Sequence, residues 1–115
     1  ECGVHQNYKN KVLKANDIAT MSTGKRLGHP VRSIKNPYTK EYFKLEYSNI
    51  SDEELEAYGR GSLYRAAVEG DEKTGCFLAG QIAGMVNKEQ TAKEIIEEIF
   101  TQAEDVLKGA TKWVK

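Results

Sequence analysis

The chain has 115 residues, 39% apolar and 30% charged, and seventeen Lys/Arg balance seventeen Asp/Glu. This length suits one modest hydrophobic core. A mean hydropathy of −0.62 with only two prolines excludes a disordered tail, and the longest nearly uncharged apolar stretch, 76–86, is shorter than the roughly 20 residues of a membrane span. Zero net charge disfavours a nucleic-acid binder, and two cysteines make no disulfide framework. We therefore expect a cytoplasmic protein with no nucleic-acid or membrane partner.

The charge is distributed unevenly along the chain. Residues 1–44 carry nine Lys/Arg against three Asp/Glu, a net charge of +6, and the remainder carries −6. This asymmetry indicates an anionic partner for the first part; the alternative is that the two parts pack together and complement one another. The candidate anion contacts are Lys25, Arg26, His29, Arg32 and Lys35.

In chain order, the first half predicts one helix, a hairpin and a second helix. An apolar stripe with lysines between predicts a helix over 5–16. The β-branched segments 20–23 and 30–34, separated by glycines, predict two strands of a hairpin or two extended edges. Asn36 and Pro37 predict a turn, and the spacing of aromatic residues over 39–47 is typical of a helix.

The second half predicts three further helices. Ser51 with Glu54 forms a capping box that starts a helix, and two glycines after Tyr58 interrupt it. Residues 62–69 predict another short helix, ended by Gly70. A second capping box at 91–94 begins the clearest element, a helix whose apolar residues recur at i, i+3 and i+4.

The segment 76–86 is unusual because Gly80 and Gly84 lie four residues apart in an apolar run. On a helix they would form a smooth face that another backbone or a flat ligand could approach closely. The alternative is ordinary tight packing in a core. Gln81 within this run needs a hydrogen-bond partner if it is buried.

The sequence contains no nucleophile–base pair and no acid–base dyad, so we predict no catalytic residue in it. Cys2 and His5 are too few ligands for a metal site, and none is predicted. Cys76 between Gly75 and Phe77 favours an inert buried thiol. His29 could bind phosphate or carboxylate together with a neighbouring arginine, or it is a solvent-exposed histidine on an edge strand.

Three collinear segments carry a family resemblance. They are HQNYK at 5–9 with KAND at 14–17, GHPVRSIKN at 28–36, and LAGQIAG at 78–84 running into KEQTA at 88–92. In this order they resemble the C-terminal part of flavin-dependent enoyl-acyl-carrier-protein reductases of the FabK type. The related nitronate monooxygenases (2-nitropropane dioxygenases) share the G-x-P-x-R-x-x-x-N and A-G-Q-x-A-G patterns.

The resemblance implies a TIM-barrel enzyme with a mostly helical lid after the last barrel strand. A barrel needs about 250 residues, so we expect this chain to be the part that follows it. Residues 1–16 would be a helix after the missing N-terminal barrel, 17–50 a basic, partly extended lid segment, and 51–115 a helical C-terminal region. The expected fold of the chain itself is mostly α with a short β hairpin or extended edge, an α+β class.

The resemblance also implies the chemistry. In these reductases NAD(P)H reduces FMN, and the flavin reduces the enoyl double bond in fatty-acid biosynthesis. The family's catalytic histidine belongs to the barrel, so neither histidine here inherits its role. Leu78, Ala79, Gly80 and Gln81 match the segment that faces cofactor and substrate, and Gly80→Leu is expected to disrupt placement or unfold the lid. The chain alone is expected to be inactive and to bind no FMN or NAD(P)H.

The partners implied are the missing barrel, acyl-carrier protein facing the basic residues 25–35, and a second copy of the enzyme in a homodimer. Two alternatives stay open. The chain is part of a nitronate monooxygenase, or it is a free-standing helical interaction domain. An exposed apolar face would indicate a severed lid and would argue against the free-standing domain.

Overall fold

A computed structural model describes residues 2–114 and confirms the mostly helical α+β class with one two-stranded antiparallel sheet. The chain divides into a larger unit, Gly3–Asn87, and a smaller unit that contains the long C-terminal helix. In order, the elements are α1 (Gln6–Leu13), β1 (Thr20–Thr23), β2 (Val31–Ile34), α2 (Pro37–Glu46), α3 (Asp52–Gly59), α4 (Ser62–Tyr64), a π-helical turn (Arg65–Glu69), a 3-10 turn (Gln81–Met85), α5 (Ala92–Ala110) and a final 3-10 turn (Thr111–Trp113).

The predicted hairpin is confirmed. Strands β1 and β2 pair antiparallel, with Thr20 opposite Ile34 and Thr23 opposite Val31. The turn between them requires Gly24 for two reasons. Its φ of +81° is a conformation that favours glycine, and a Cβ there would lie 2.5 Å from the His29 carbonyl oxygen.

Asn36 and Pro37 begin a helix, where the sequence predicted only a turn. The Asn36 side chain accepts a hydrogen bond from the Thr39 backbone N–H at 2.9 Å, and the Thr39 hydroxyl accepts from the Asn36 N–H at 2.9 Å. Pro37 occupies the first helical position, where its missing N–H costs nothing. The Asn36 amide also donates to the Gly75 carbonyl at 2.7 Å, which ties the start of α2 to a distant loop.

The glycine-rich run is not helical over 76–80, so the smooth helical face that the spacing of its glycines would give does not form there. Leu78 forms an antiparallel bridge to Ser33, and only Gln81–Met85 coils, as a 3-10 turn. Gly84 alone makes the close approach, since a Cβ on it would lie 2.8 Å from the Asn16 carbonyl carbon. Nothing lies within 4 Å of a Cβ built on Gly80.

The core of the larger unit consists of two clusters of buried side chains. Each contains at least one aromatic ring, and Phe77 and Leu55 are fully buried. Tyr8 packs a tilted ring 5.0 Å from Phe77 and thereby fixes α1 against the strand segment. The clusters are Tyr38, Tyr42, Leu55 and Cys76, and Ile34, Ala66 and Phe77.

The smaller unit is built around α5, which starts at the predicted capping box. The Thr91 hydroxyl accepts from the Glu94 N–H at 3.2 Å, and the Glu94 carboxylate accepts from the Thr91 N–H at 2.7 Å. Lys88 forms an ion pair with Glu98 at 2.8 Å. The apolar stripe of the helix is exposed, with Phe100 at 68%. Across residues 2–114, no helix combines the length and apolarity that crossing a bilayer requires.

Candidate functional site

The segment at Leu78 and Ala79 lies beside β2 in the manner of a short third strand. The Ala79 N–H donates to the Arg32 carbonyl at 3.2 Å, and the Ile34 N–H donates to the Phe77 carbonyl at 2.8 Å. These bonds extend the sheet by one bridge and place the glycine-rich motif next to the basic hairpin.

An open depression of about 370 Å³ lies along this edge. Its lining consists of Val31, Arg32, Leu78, Ala79 and Gly80. Two sets of predicted site residues therefore meet here, the anion contact Arg32 and the cofactor-facing run 78–80. Because no side chain crowds Gly80, a flat group can approach the backbone at that point.

Arg32 brings the positive charge of this depression. Its Nη1 donates to the Thr20 hydroxyl at 3.1 Å, which holds the half-buried side chain against β1. A guanidinium has five N–H donors, so most donors of the Arg32 side chain stay available for an anionic group. Gln81, the last residue of the predicted run, is exposed and needs no buried partner.

Arg26 lies elsewhere and is occupied by contacts within the chain. Its guanidinium donates to the carbonyl oxygens of Ser48 and Ile50 at 3.2 and 2.6 Å and pairs with Asp52 at 2.8 Å. Its backbone N–H donates to the buried Glu46 carboxylate at 2.8 Å. We call these contacts the Arg26 clasp; they fasten the hairpin turn to the end of α2 and the start of α3.

The other three basic candidates do not share the face of Arg32. Lys25 and His29 are exposed in the hairpin turn, and His29 lines a separate cavity. Lys35 is exposed at a third depression, together with Lys11 and Lys14. The basic residues predicted as one contact surface are thus dispersed over the larger unit.

Neither histidine and neither cysteine forms a metal centre in the described chain, where no group of three or more His, Cys, Asp or Glu side chains comes together. The His5 Nδ1 accepts from the Asn7 N–H at 3.1 Å and caps α1. Cys76 is buried, as predicted, and burial raises the pKa of its thiol, which a hydrogen bond with Ser33 partly opposes.

Sequence reasoning missed a cluster of three tyrosines, two of which, Tyr38 and Tyr42, line the same cavity as His29. Tyr38 stacks on Tyr58 with ring centroids 5.4 Å apart, and Tyr42 lies tilted against both. Burial raises the pKa of Tyr38 to about 12, and a hydrogen bond with Ser62 opposes that rise. The signal available in the sequence was the i, i+4 spacing of Tyr38 and Tyr42 on one face of α2.

Comparison with known proteins defines the class of the chain. The family model of nitronate monooxygenase matches residues 1–102, and the chain belongs to that family. Among solved structures, it is similar to FabK from Thermotoga maritima, with a TM-score of 0.90 and 35% identity over 96% of this chain. A mutant of the same Thermotoga protein matches with a TM-score of 0.78 and 32% identity over the same share.

The chain spans about a third of the length of these solved structures, 35% of the first and 32% of the second. No curated protein matches it significantly. The family resemblance read from the three sequence segments is confirmed.

Proposed function

We propose that the chain is the lid and C-terminal helical portion of an FMN-dependent enoyl-[acyl-carrier-protein] reductase that uses NAD(P)H in fatty-acid biosynthesis. The observation that carries the proposal is the similarity to FabK over nearly the whole chain, at a TM-score of 0.90. The family assignment supports an oxidoreductase of flavin type. The barrel, the acyl-carrier protein and a second enzyme copy are the proposed partners.

The depression at Arg32 fits one side of a flavin or substrate site. Bare backbone at Gly80 gives a planar ring room to lie close, and the Arg32 guanidinium offers donors to a phosphate or carbonyl oxygen. Bound FMN supplies the hydride chemistry. The proposed roles of Leu78, Ala79, Gly80 and Gln81 are to cover the reacting groups, exclude water and set their position.

The basic residues of the hairpin support a contact with an acidic carrier protein or a cofactor phosphate. Lys25 and His29 are exposed at the turn, and Arg32 lies on the adjoining strand. Because the Arg26 guanidinium is occupied by the clasp, it would contribute net charge rather than direct hydrogen bonds. Lys35 would contribute only through the long-range field.

The assay that tests this function uses the complete enzyme that contains the chain. It should reduce crotonyl thioester with NADH or NADPH when FMN is bound. Arg32→Ala should lower kcat/KM at least tenfold, the effect expected when a charge-assisted hydrogen bond is lost. Lys40→Ala, which removes an exposed charge from α2, is the matched control and should change little. An enzyme that oxidises a nitronate and leaves the thioester untouched contradicts the proposal.

The isolated chain is expected to bind no FMN and to oxidise no NADH, because the depression covers only one side of a ligand. Titration of FMN with the 115-residue chain should leave flavin fluorescence unchanged at micromolar protein. Quenching that saturates in that range would show a complete flavin site within these residues.

A second candidate activity is nitronate oxidation, which the family model over residues 1–102 favours. The same depression would then cover a flavin whose substrate is a small nitronate. Activity of the complete enzyme on a nitronate without NAD(P)H, and none on crotonyl thioester, would select it.

A further inference from the structure

A second cavity lies in the larger unit, and Gly80 is not among its lining residues. It has a volume of about 220 Å³. Since typical ligand sites occupy roughly 300–1,000 Å³, its size suits a small molecule or the end of a longer one. We call it the hydroxyl pocket; its lining is Thr23, Gly24, His29, Val31, Tyr38, Tyr42, Gly59, Ser62, Leu63, Cys76 and Leu78.

Three polar residues of the pocket are deeply buried and uncharged. Thr23, Tyr38 and Ser62 carry hydroxyls, and each of these residues is at most 6% exposed. The buried Cys76 thiol lies among them. Because burial raises the pKa of Tyr38 to about 12, its phenol keeps its proton at neutral pH and can donate a hydrogen bond.

The lining of the hydroxyl pocket disfavours charged ligands. None of the lining residues given above is Asp, Glu, Lys or Arg. The lining's basic side chain, His29, is exposed. A charged ligand held among the buried hydroxyls would lose its hydration without gaining an opposite charge there, which is costly. Val31, Leu63 and Leu78 supply apolar surface that remains partly exposed. The pocket therefore suits a ligand with an apolar body and one uncharged hydrogen-bond acceptor.

We propose that the hydroxyl pocket binds small neutral molecules that carry a carbonyl group, such as an amide or ester, with the carbonyl oxygen accepting from the buried Tyr38 hydroxyl. Val31 and Leu78 line both this pocket and the depression at Arg32. The two cavities are therefore neighbours, and one elongated ligand could extend from one to the other. The proposal does not depend on the flavin chemistry.

Matched pairs of probes test the selectivity for neutral carbonyl compounds. Butyramide and butyrate have the same size and differ in charge. In a titration of the full chain followed by amide NMR shifts, butyramide should shift resonances around Tyr38 and Ser62 saturably, and butyrate should bind at least tenfold more weakly. Equal binding of the two probes, or shifts spread over the whole surface, overturns the proposal.

The chain offers its own reporter in Cys76, with exposed Cys2 as an internal reference. Iodoacetamide is a neutral amide and iodoacetate its charged counterpart; each alkylates a thiolate with loss of iodide, the thiol proton passing to water. At pH 9 the ratio of iodoacetamide to iodoacetate labelling should be at least fivefold higher at Cys76 than at Cys2, measured by peptide mass spectrometry. Butyramide should protect Cys76 alone. Equal ratios at the two cysteines count against the proposal.

Variants separate binding from folding. Tyr38→Phe removes one donor and keeps the ring, so the affinity for butyramide should fall at least fivefold while the chain stays folded. Leu63→Trp at the partly exposed rim should block entry without altering the core. Tyr64→Phe changes an exposed tyrosine outside the lining and should bind butyramide normally. Unchanged butyramide binding in both Tyr38→Phe and Leu63→Trp contradicts the proposal, whatever the enzyme's reaction.

Discussion

At the scale of single residues, the two glycines of the 78–84 motif have different roles. Gly84 lies where a Cβ would come within 2.8 Å of the Asn16 backbone, and backbone cannot yield as a flexible side chain can. Gly84→Ala should therefore lower the free energy of unfolding by about 1–3 kcal/mol through overpacking. Urea denaturation followed by circular dichroism measures the change.

Gly80→Ala is the matched control, since nothing lies within 4 Å of a Cβ at that position. Its free energy of unfolding should stay within about 0.5 kcal/mol of the parent chain. A control that destabilises as much as Gly84→Ala would refute the assignment of the close approach to Gly84. In the complete enzyme, Gly80→Leu tests a separate matter, which is whether a ligand or the barrel needs that bare backbone.

The buried phenol of Tyr38 makes stability fall at alkaline pH. Its pKa is raised from 10.0 to about 12 in the folded chain, so the folded state holds the proton more tightly than the unfolded state. The resulting stability is complete below pH 10 and is lost as pH rises toward 12, by about 2–3 kcal/mol. Tyr38→Phe should flatten this fall in urea midpoints measured from pH 9 to 12.

Part of the alkaline fall should persist in Tyr38→Phe, because burial also raises the pKa values of Tyr42 and Tyr58. Tyr64→Phe, at an exposed position, is the control and should reproduce the parent profile. A parent chain whose stability is constant between pH 10 and 12 would contradict the buried position of the Tyr38 hydroxyl.

At the scale of elements, the Arg26 clasp joins the hairpin turn to the α2–α3 connection. One guanidinium serves two carbonyl oxygens and the Asp52 carboxylate. Arg26→Lys keeps the positive charge but removes the planar guanidinium that donates to several acceptors at once. We therefore expect the unfolding free energy to fall by about 1–2 kcal/mol. Arg32→Lys is the matched control, since Arg32 makes a single hydrogen bond to Thr20 and should lose less.

Hydrogen exchange locates the effect of the clasp. Arg26→Lys should raise the amide exchange rates of residues 24–29 and 48–52 together, because the hairpin turn and the α2–α3 connection both lose the hydrogen bonds that join them. Faster exchange confined to 24–29 would mean that the arginine does not connect the two elements.

The elements that sequence predicted well are those whose cause is local. Both capping boxes need only residues three apart, and the structure places Ser51 with Glu54 and Thr91 with Glu94 as expected. The hairpin follows from two β-branched runs around glycines. The extended conformation of 76–80 was not predicted, because it comes from the pairing of Leu78 with Ser33, a contact that local spacing does not reveal.

The candidate site was predictable only in part for the same reason. Arg32 and Ala79 were both identified from sequence, but the backbone hydrogen bond that joins them across the sheet edge is a tertiary contact. Arg26 looked like a free cation because its acceptors are mostly backbone carbonyls, which any sequence provides. The hydroxyl pocket was missed because hydroxyl residues are common and only the fold assembles them.

At the scale of the whole molecule, some basic residues of 1–44 form ion pairs with acidic residues of the remainder, within the larger unit. Lys11 pairs with Glu72 at 3.7 Å and Arg26 with Asp52 at 2.8 Å, and each pair joins the basic first part to the acidic remainder. This supports the interpretation that the two parts complement one another. Lys25, exposed in the hairpin turn, remains a proposed contact for an anionic partner.

The apolar face of α5 should make the isolated chain bind a hydrophobic dye. Ile96, Ile99 and Phe100 are each more than half exposed on one stripe of the helix, and a contiguous apolar patch of this kind marks an interaction surface. We expect anilinonaphthalene sulfonate fluorescence to rise on mixing with the folded chain. Phe100→Lys should reduce that rise at least twofold, with helical circular dichroism unchanged because the position is exposed.

Ile18→Lys, which removes an exposed isoleucine from the larger unit, is the control and should leave dye binding intact. This result favours a chain whose α5 stripe is covered in the complete enzyme. No dye binding, together with a monomeric and cooperative melt, would instead favour the free-standing helical domain and weaken the proposed role as a lid.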